Sequence, residues 1–191
     1  MRRKIAALAA VAAAVCGCLA TACGASGQEE DARSYYNAYR AAEDSRTDAE
    51  EELRLAFSDI SKAAQSEDRE AVLEAAQRGQ DAVEKIDGLL TAELEAAHGL
   101  TEIDLVSADA KRLADGLQLS EKSLALVGKE LEIALADPFL ATHQKEVENL
   151  AKESTDLAVK GELAIRRADR ALAVALGLEP RPDQMFTPTT G

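Results

Sequence analysis

Four long apolar stripes constrain this chain more than any other feature. The second runs Val72, Ala76, Gly79, Val83, Ile86, Leu90, Leu94, Ala97. The third runs Ile103, Val106, Ala110, Leu113, Leu117, Ser120, Leu124, Val127, Leu131, Ala134. A first stripe goes from Ala32 through Tyr35, Tyr39, Arg46 and Leu53 to Ala63, and a fourth from Leu140 through His143, Leu150, Ser154 and Gly161 to Ala175. Every step is three or four and the two mostly alternate, which is the signature of α-helices that each bury one seam. Strands would alternate every second residue.

The breaks between stripes carry their own signals. No Gly or Pro separates the first stripe from the second, yet continuing the first phase would put Glu67, Glu70 and Glu74 on the seam. A turn is therefore expected there, with Ser66 capping the next helix and Glu67 and Asp68 in its first turn. Gly99 is expected to stop the second helix, and Thr101 with Asp104 resembles a capping box for the third. Asp137-Pro138 reads as an N-cap followed by proline at the first helical position. The result is four helices of roughly 30 to 38 residues, each ~45–55 Å long.

Short connections make neighbours antiparallel. The expected fold is all-α, an up-down-up-down four-helix bundle with coiled-coil-like, alanine-rich packing. Small seam residues bring helix axes toward the ~8 Å end of their usual range. That predicts a narrow core with little space for a buried substrate or cofactor.

Composition agrees with helices. Aromatics are 3% of the chain and Trp is absent, too few for a strand-rich core. The formal net charge is -13. The basic residues Arg2, Arg3 and Lys4 lie ahead of the first stripe, so the remainder is more acidic still. Such a surface repels phosphate backbones, and no nucleic-acid partner is expected.

The beginning of the chain has a separate logic. Met1-Arg2-Arg3-Lys4 is a basic n-region, and Ile5 to Val15 is an unbroken apolar run. That run is too short to span a bilayer and suits the h-region of a secretory signal. Leu19-Ala20-Thr21-Ala22-Cys23-Gly24 follows. This segment resembles the lipobox of bacterial lipoproteins, in the style of high-GC Gram-positive bacteria. The resemblance covers residues 1–24 only. It implies diacylglyceryl transfer to the Cys23 thiol, a palmitate-bearing anchor and cleavage before Cys23. Position 20 is Ala where Leu is commoner, and Val15-Cys16-Gly17-Cys18 is a competing match with cleavage before Cys18. Cleavage at Cys18 would leave a short h-region and an unexplained second cysteine. With Cys23 acylated and Cys16 and Cys18 discarded, no disulfide is expected.

The expected organisation is a signal peptide at 1–22, a lipidated cysteine and linker at 23–28, a helical bundle at 29–178, and an extended or disordered tail at 179–191. Glu29, Glu30 and Asp31 favour a helix start by complementing its dipole.

Each candidate site has a plainer reading beside it. Glu95-Ala96-Ala97-His98 matches the Glu-x-x-His motif of di-iron bundles, and His143-Gln144-Lys145-Glu146 could pass for a reversed half. His98 ends the second helix and His143 begins the fourth, which puts them at opposite ends, so no metal site and no cofactor is expected. No catalytic constellation is visible: HExxH, G-x-S-x-G and phosphate-binding glycine loops are absent. Arg46 stands on a seam. It either joins a polar layer with Asp87, Ser120 and Ser154, or snorkels out past alanines. Tyr35, Tyr36 and Tyr39 either rest together at the headgroup level, or Tyr35 and Tyr39 plug the wide end of the bundle. Leu105, Leu119, Leu126 and Ile133 form a second stripe on the third helix. They are either a partner-binding face or a sign that this helix is the most buried.

The function expected from sequence is non-enzymatic. It is a lipoprotein anchored on the extracytoplasmic face of the cell membrane through Cys23, serving as a helical binding module or spacer in the cell envelope with an envelope protein partner. The alternative is a lipid-anchored carrier of a small ligand or ion, which would require a cavity lined by larger apolar residues.

Overall fold

The computed structural model describes residues 25–181. Four helices follow one another: α1 (Ala25–Gln65), α2 (Arg69–Thr101), α3 (Ser107–Ala136) and α4 (Gln144–Ala175). No strand occurs among the described residues. The helices form an antiparallel four-helix bundle in which α1 packs on α2, α2 on α3, and α3 on α4. The stripes are thus realised as one seam per helix.

Several helix ends differ from expectation. α1 begins at Ala25, so Ala25–Gln28, expected as linker, are helical. Gly27 in the opening turn costs little there, because the first four N–H groups of a helix have no partner within it. α1 ends in a Schellman motif. Asp68 N donates to Ala63 O (3.0 Å), Glu67 N donates to Ala64 O (3.2 Å), and Glu67 takes the left-handed position at φ 56°. This reversal displaces the N-cap of α2 from Ser66 to Asp68, whose carboxylate accepts from Ala71 N at 3.0 Å. The Ser66 hydroxyl turns back to Ala63 O instead (3.0 Å).

Gly99 does not stop α2, which continues to Thr101. Its lack of a side chain serves packing: a Cβ there would run into the Tyr35 ring. The expected capping box is also absent, because the Thr101 hydroxyl donates to His98 O (2.7 Å) and Ile103 and Val106 tuck into the core from the loop. Asp137-Pro138 opens a loop and does not start α4. Asp137 Oδ2 accepts from Thr142 N (2.9 Å) and Thr142 Oγ1 (3.0 Å) and lies 3.1 Å from His143 Nδ1. These contacts, the backbone bond from Thr142 first, hold the Asp137 carboxyl down at about 2.

The core is lopsided. Its main cluster gathers Tyr36, Tyr39, Leu100, Leu113, Ile165, Leu172 and Leu176 toward the end where α1 begins and α4 finishes, and reaches mid-bundle at Leu90 and Leu117. Here and along α3–α4 small residues let backbones touch: a Cβ on Gly161 would come within 2.9 Å of Gly116 O. At the opposite end α1, α2 and α3 still bury Ala56, Ala63, Val72, Ala76, Leu131 and Ala134. The first buried residue of α4, however, is Ser154, ten residues into the helix. α1 and α4, which should close the ring, approach each other less closely than any pair of sequence neighbours.

Candidate functional site

The gap between α1 and α4 is an open-sided cleft of about 520 Å³. α1 supplies Arg46, Glu50 and Leu53, and α2 supplies Ile86 and Leu90 to the floor. α3 adds Ser120, Ser123, Leu124 and Val127, and α4 forms the far wall with Thr155, Ala158, Val159, Glu162, Leu163 and Arg166. All four helices contribute, so the cleft reaches the bundle axis. Val159 and Leu163 keep 46% and 50% of their surface exposed, unusual for branched aliphatic side chains facing a bundle interior. The narrow, filled core expected from the alanine-rich seams holds for α2–α3 and α3–α4 but not here. Seam composition governs how near two helices can come, and does not require the first and last helices to close.

One end of the cleft is polar. Arg46 is buried to 8% exposure, so it does not snorkel out. Its Nε donates to Glu93 Oε1 at 2.6 Å, and its Nη1 donates to Glu50 Oε1. The expected neighbours Asp87, Ser120 and Ser154 are not its partners. Helical side chains lean toward their own N-terminus, so on antiparallel helices Arg46 reaches a full turn beyond the level counted from the turn. Burial pushes the Glu93 carboxyl up to about 7, with Arg46 pulling the other way and Glu43 and Glu50 adding to the rise. Burial lowers the Arg46 pKa, but Glu93 and Glu50 outweigh it and the net shift is upward. Glu93 has no exposed surface, its Oε2 has no hydrogen-bond partner, and it does not line the cleft.

Above this level side chains tie α1 to α4. Tyr36 Oη donates to Asp169 Oδ1 (2.8 Å) and accepts from Arg40 Nε (2.9 Å), and Arg40 lies 3.2 Å from Asp169. Tyr39 is fully buried beside Tyr36, and burial raises its pKa well above the ordinary value. The tyrosines therefore plug the bundle end. The pair that does so is Tyr36 and Tyr39 and not the expected Tyr35 and Tyr39, because Tyr35 packs half-buried on Gly99.

The remaining sequence candidates are not assembled into one site. Leu119, Leu126 and Ile133 are half-buried on α3. Leu105 is 55% exposed and sits in the α2–α3 loop, so it is not part of a helical stripe. His98 lies in the last turn of α2 and His143 just ahead of α4, at opposite bundle ends. Among the described residues no group of three His, Cys, Asp or Glu side chains could hold a metal ion, and no helix is long and apolar enough to cross a membrane. Cys23, the competing Cys18, the signal segment and residues 182–191 lie outside the described residues. The cleft walls went unnoticed in the sequence, although one signal existed: Val159 and Leu163 flank the fourth stripe without belonging to it.

No protein-family model matches the chain. No curated protein and no solved structure matches it either.

Proposed function

We propose that this protein is a lipoprotein of the cell envelope, anchored on the extracytoplasmic face through Cys23, and that it is a non-enzymatic binding module working through the α1–α4 cleft. The observation that carries the reading is the cleft itself. Its volume falls in the range of small-molecule sites, its walls are mostly aliphatic, and charged groups gather at one end. This favours a carrier of a small, elongated apolar or amphipathic molecule over a spacer, which would have no use for exposed Val159 and Leu163. The perturbed Glu93 belongs to a structural ion pair and cannot reach an occupant of the cleft, which supports binding over catalysis.

Helix α1 starts two residues after Cys23. A lipid there would hold the tyrosine-plugged end against the membrane. Arg46, 21 residues into α1, would stand ~30 Å further out. Two measurements test the proposal. Palmitate incorporation and membrane fractionation should both be lost in Cys23→Ala; unchanged labelling would move the anchor to Cys18. The neutral apolar dye Nile red should bind the protein, and Val159→Glu with Leu163→Glu should abolish binding while helicity is kept. Equal dye binding in that double variant would remove the cleft from the account.

A further inference from the structure

Of the charged groups that line the cleft, Arg46 alone lies deep. Its side chain is 10% exposed, against 47% for Glu50 and 40% for Glu162. A guanidinium has five N–H donors. Arg46 uses one on Nε for Glu93 and one on Nη1 for Glu50, and the N–H groups of Nη2 meet no acceptor among the described residues. The side-chain atoms sealed inside the bundle without a partner are Tyr39 Oη, Arg40 Nη1 and Glu93 Oε2. Arg46 Nη2 is not one of them, so it opens on solvent space, and the space that Arg46 lines is the cleft. The other polar groups of the walls are answered within the protein. Glu50 accepts from Arg46, and Glu162 accepts from Arg166 Nε. Ser120 donates to Gly116 O (3.4 Å), Ser123 to Ser154 O (2.8 Å) and Thr155 to Ala151 O (2.7 Å). What remains is a buried cationic donor with no acceptor in front of it.

We infer that the ligand of the cleft is a single-chain amphiphile with a carboxylate head, seated on Arg46 Nη2 with its chain along Leu53, Val127, Val159 and Leu163. This rests on the binding reading above and narrows its ligand. A carboxylate matches the planar fork of a guanidinium with charge-assisted bonds. It also carries a single charge. A phosphate dianion would meet Glu50 and Glu162 with twice the repulsion, and Glu93 behind Arg46 already offsets that arginine. A cationic head would reach only Glu50 and Glu162, which are paired and stand in water that screens them. The Glu50 contact is a half-exposed pair one turn along the same helix, and it yields to a carboxylate that holds Nη1 and Nη2 together. The direction of the chain follows. Leu53 stands two turns beyond Arg46, ~10 Å along α1 and away from the tyrosine plug. The exposed surface of Val159 and Leu163 on the far wall is what such a chain would cover.

The test uses residues 23–191 with Cys23→Ser, which contain every described helix. Calorimetric titration compares dodecanoate, dodecanol and dodecyltrimethylammonium, which differ in the head and share one chain length. Dodecanoate should bind about tenfold more tightly than either of the others. Glu50→Gln removes the competing carboxylate and leaves Arg46 paired with Glu93, so it should widen the gap between dodecanoate and dodecanol several-fold. Arg46→Met with Glu93→Leu removes the donor and its buried partner together and should close that gap while helicity is kept. If the double variant unfolds, Glu50→Gln still decides. Equal affinity for dodecanoate and dodecanol overturns the inference, as does a preference for dodecyltrimethylammonium or a gap unchanged in Glu50→Gln. Where Nile red binds and dodecanoate gains nothing over dodecanol, the carrier reading stands and the carboxylate head falls. Where neither the dye nor any of the amphiphiles binds, the carrier reading itself fails and takes the inference with it.

Discussion

Arg46 of α1 and Glu93 of α2 form a 2.6 Å ion pair inside the bundle, and the second oxygen of Glu93 meets no donor. An ion pair with one unsatisfied oxygen has desolvated charge without full compensation. The first two predictions follow from it.

The first concerns pH. The folded-state pKa of Glu93 is about 7 against an ordinary 4.5, because burial disfavours the carboxylate. Between those values the folded chain binds more protons than the unfolded one. This group's contribution is therefore fully present below the ordinary pKa and is lost as pH rises toward 7. In Glu93→Gln the stability change across that window should flatten, measured by denaturant midpoints at several pH values. An unchanged profile would show that Glu93 does not titrate there.

The second separates breaking the pair from replacing it. Arg46→Met removes the group that pulls the Glu93 pKa down, so Glu93 should stay protonated to higher pH, and the variant should lose stability, more at pH 8 than at pH 6 and by at most about 3–5 kcal/mol. The double variant Arg46→Met with Glu93→Leu should recover most of that loss. A double variant as unstable as the single would mean that the pair matters for geometry beyond its charges.

A third prediction concerns Glu67, the left-handed residue at the end of α1. The conformation costs an L-residue on the order of 1 kcal/mol, and glycine adopts it freely. Glu67→Gly should raise the thermal midpoint slightly, and Glu67→Val should lower it. A fall with Gly would show that the Glu67 side chain contributes something the backbone geometry does not reveal.

Tyr36 offers a fourth. Its hydroxyl joins α1 to α4 through Asp169. Tyr36→Phe should cost ~1–2 kcal/mol, since Arg40 remains to pair with Asp169. A larger loss, seen as a non-native near-ultraviolet spectrum, would make the tyrosine plug essential to the closed end.

How much of this was legible beforehand differs by feature. Number and direction of the helices follow from seam periodicity, a local property that needs no partner, while α1 at 41 residues outruns its stripe at the N-terminal end. The turn after α1 was less legible, because its Schellman reversal rests on backbone hydrogen bonds, and Glu67 occupies a position that glycine usually signals. Arg46 stood out as a polar residue on a seam. Its partner did not, since the lean of helical side chains shifts contacts by a turn. The cleft was illegible for a deeper reason: it depends on how far α1 stands from α4, a relation between the two helices most distant in sequence.

The half-buried start of α4 also divides the molecule in time. From Gln144 to Glu153 no side chain is buried, so this stretch can detach without disturbing the tyrosine end. Its amides should exchange with solvent through brief local openings, while those of α2 near Leu90 and Leu100 wait for unfolding of the whole domain. The bundle then resembles a clothes peg, with its spring at the tyrosine-plugged end and one jaw free to swing.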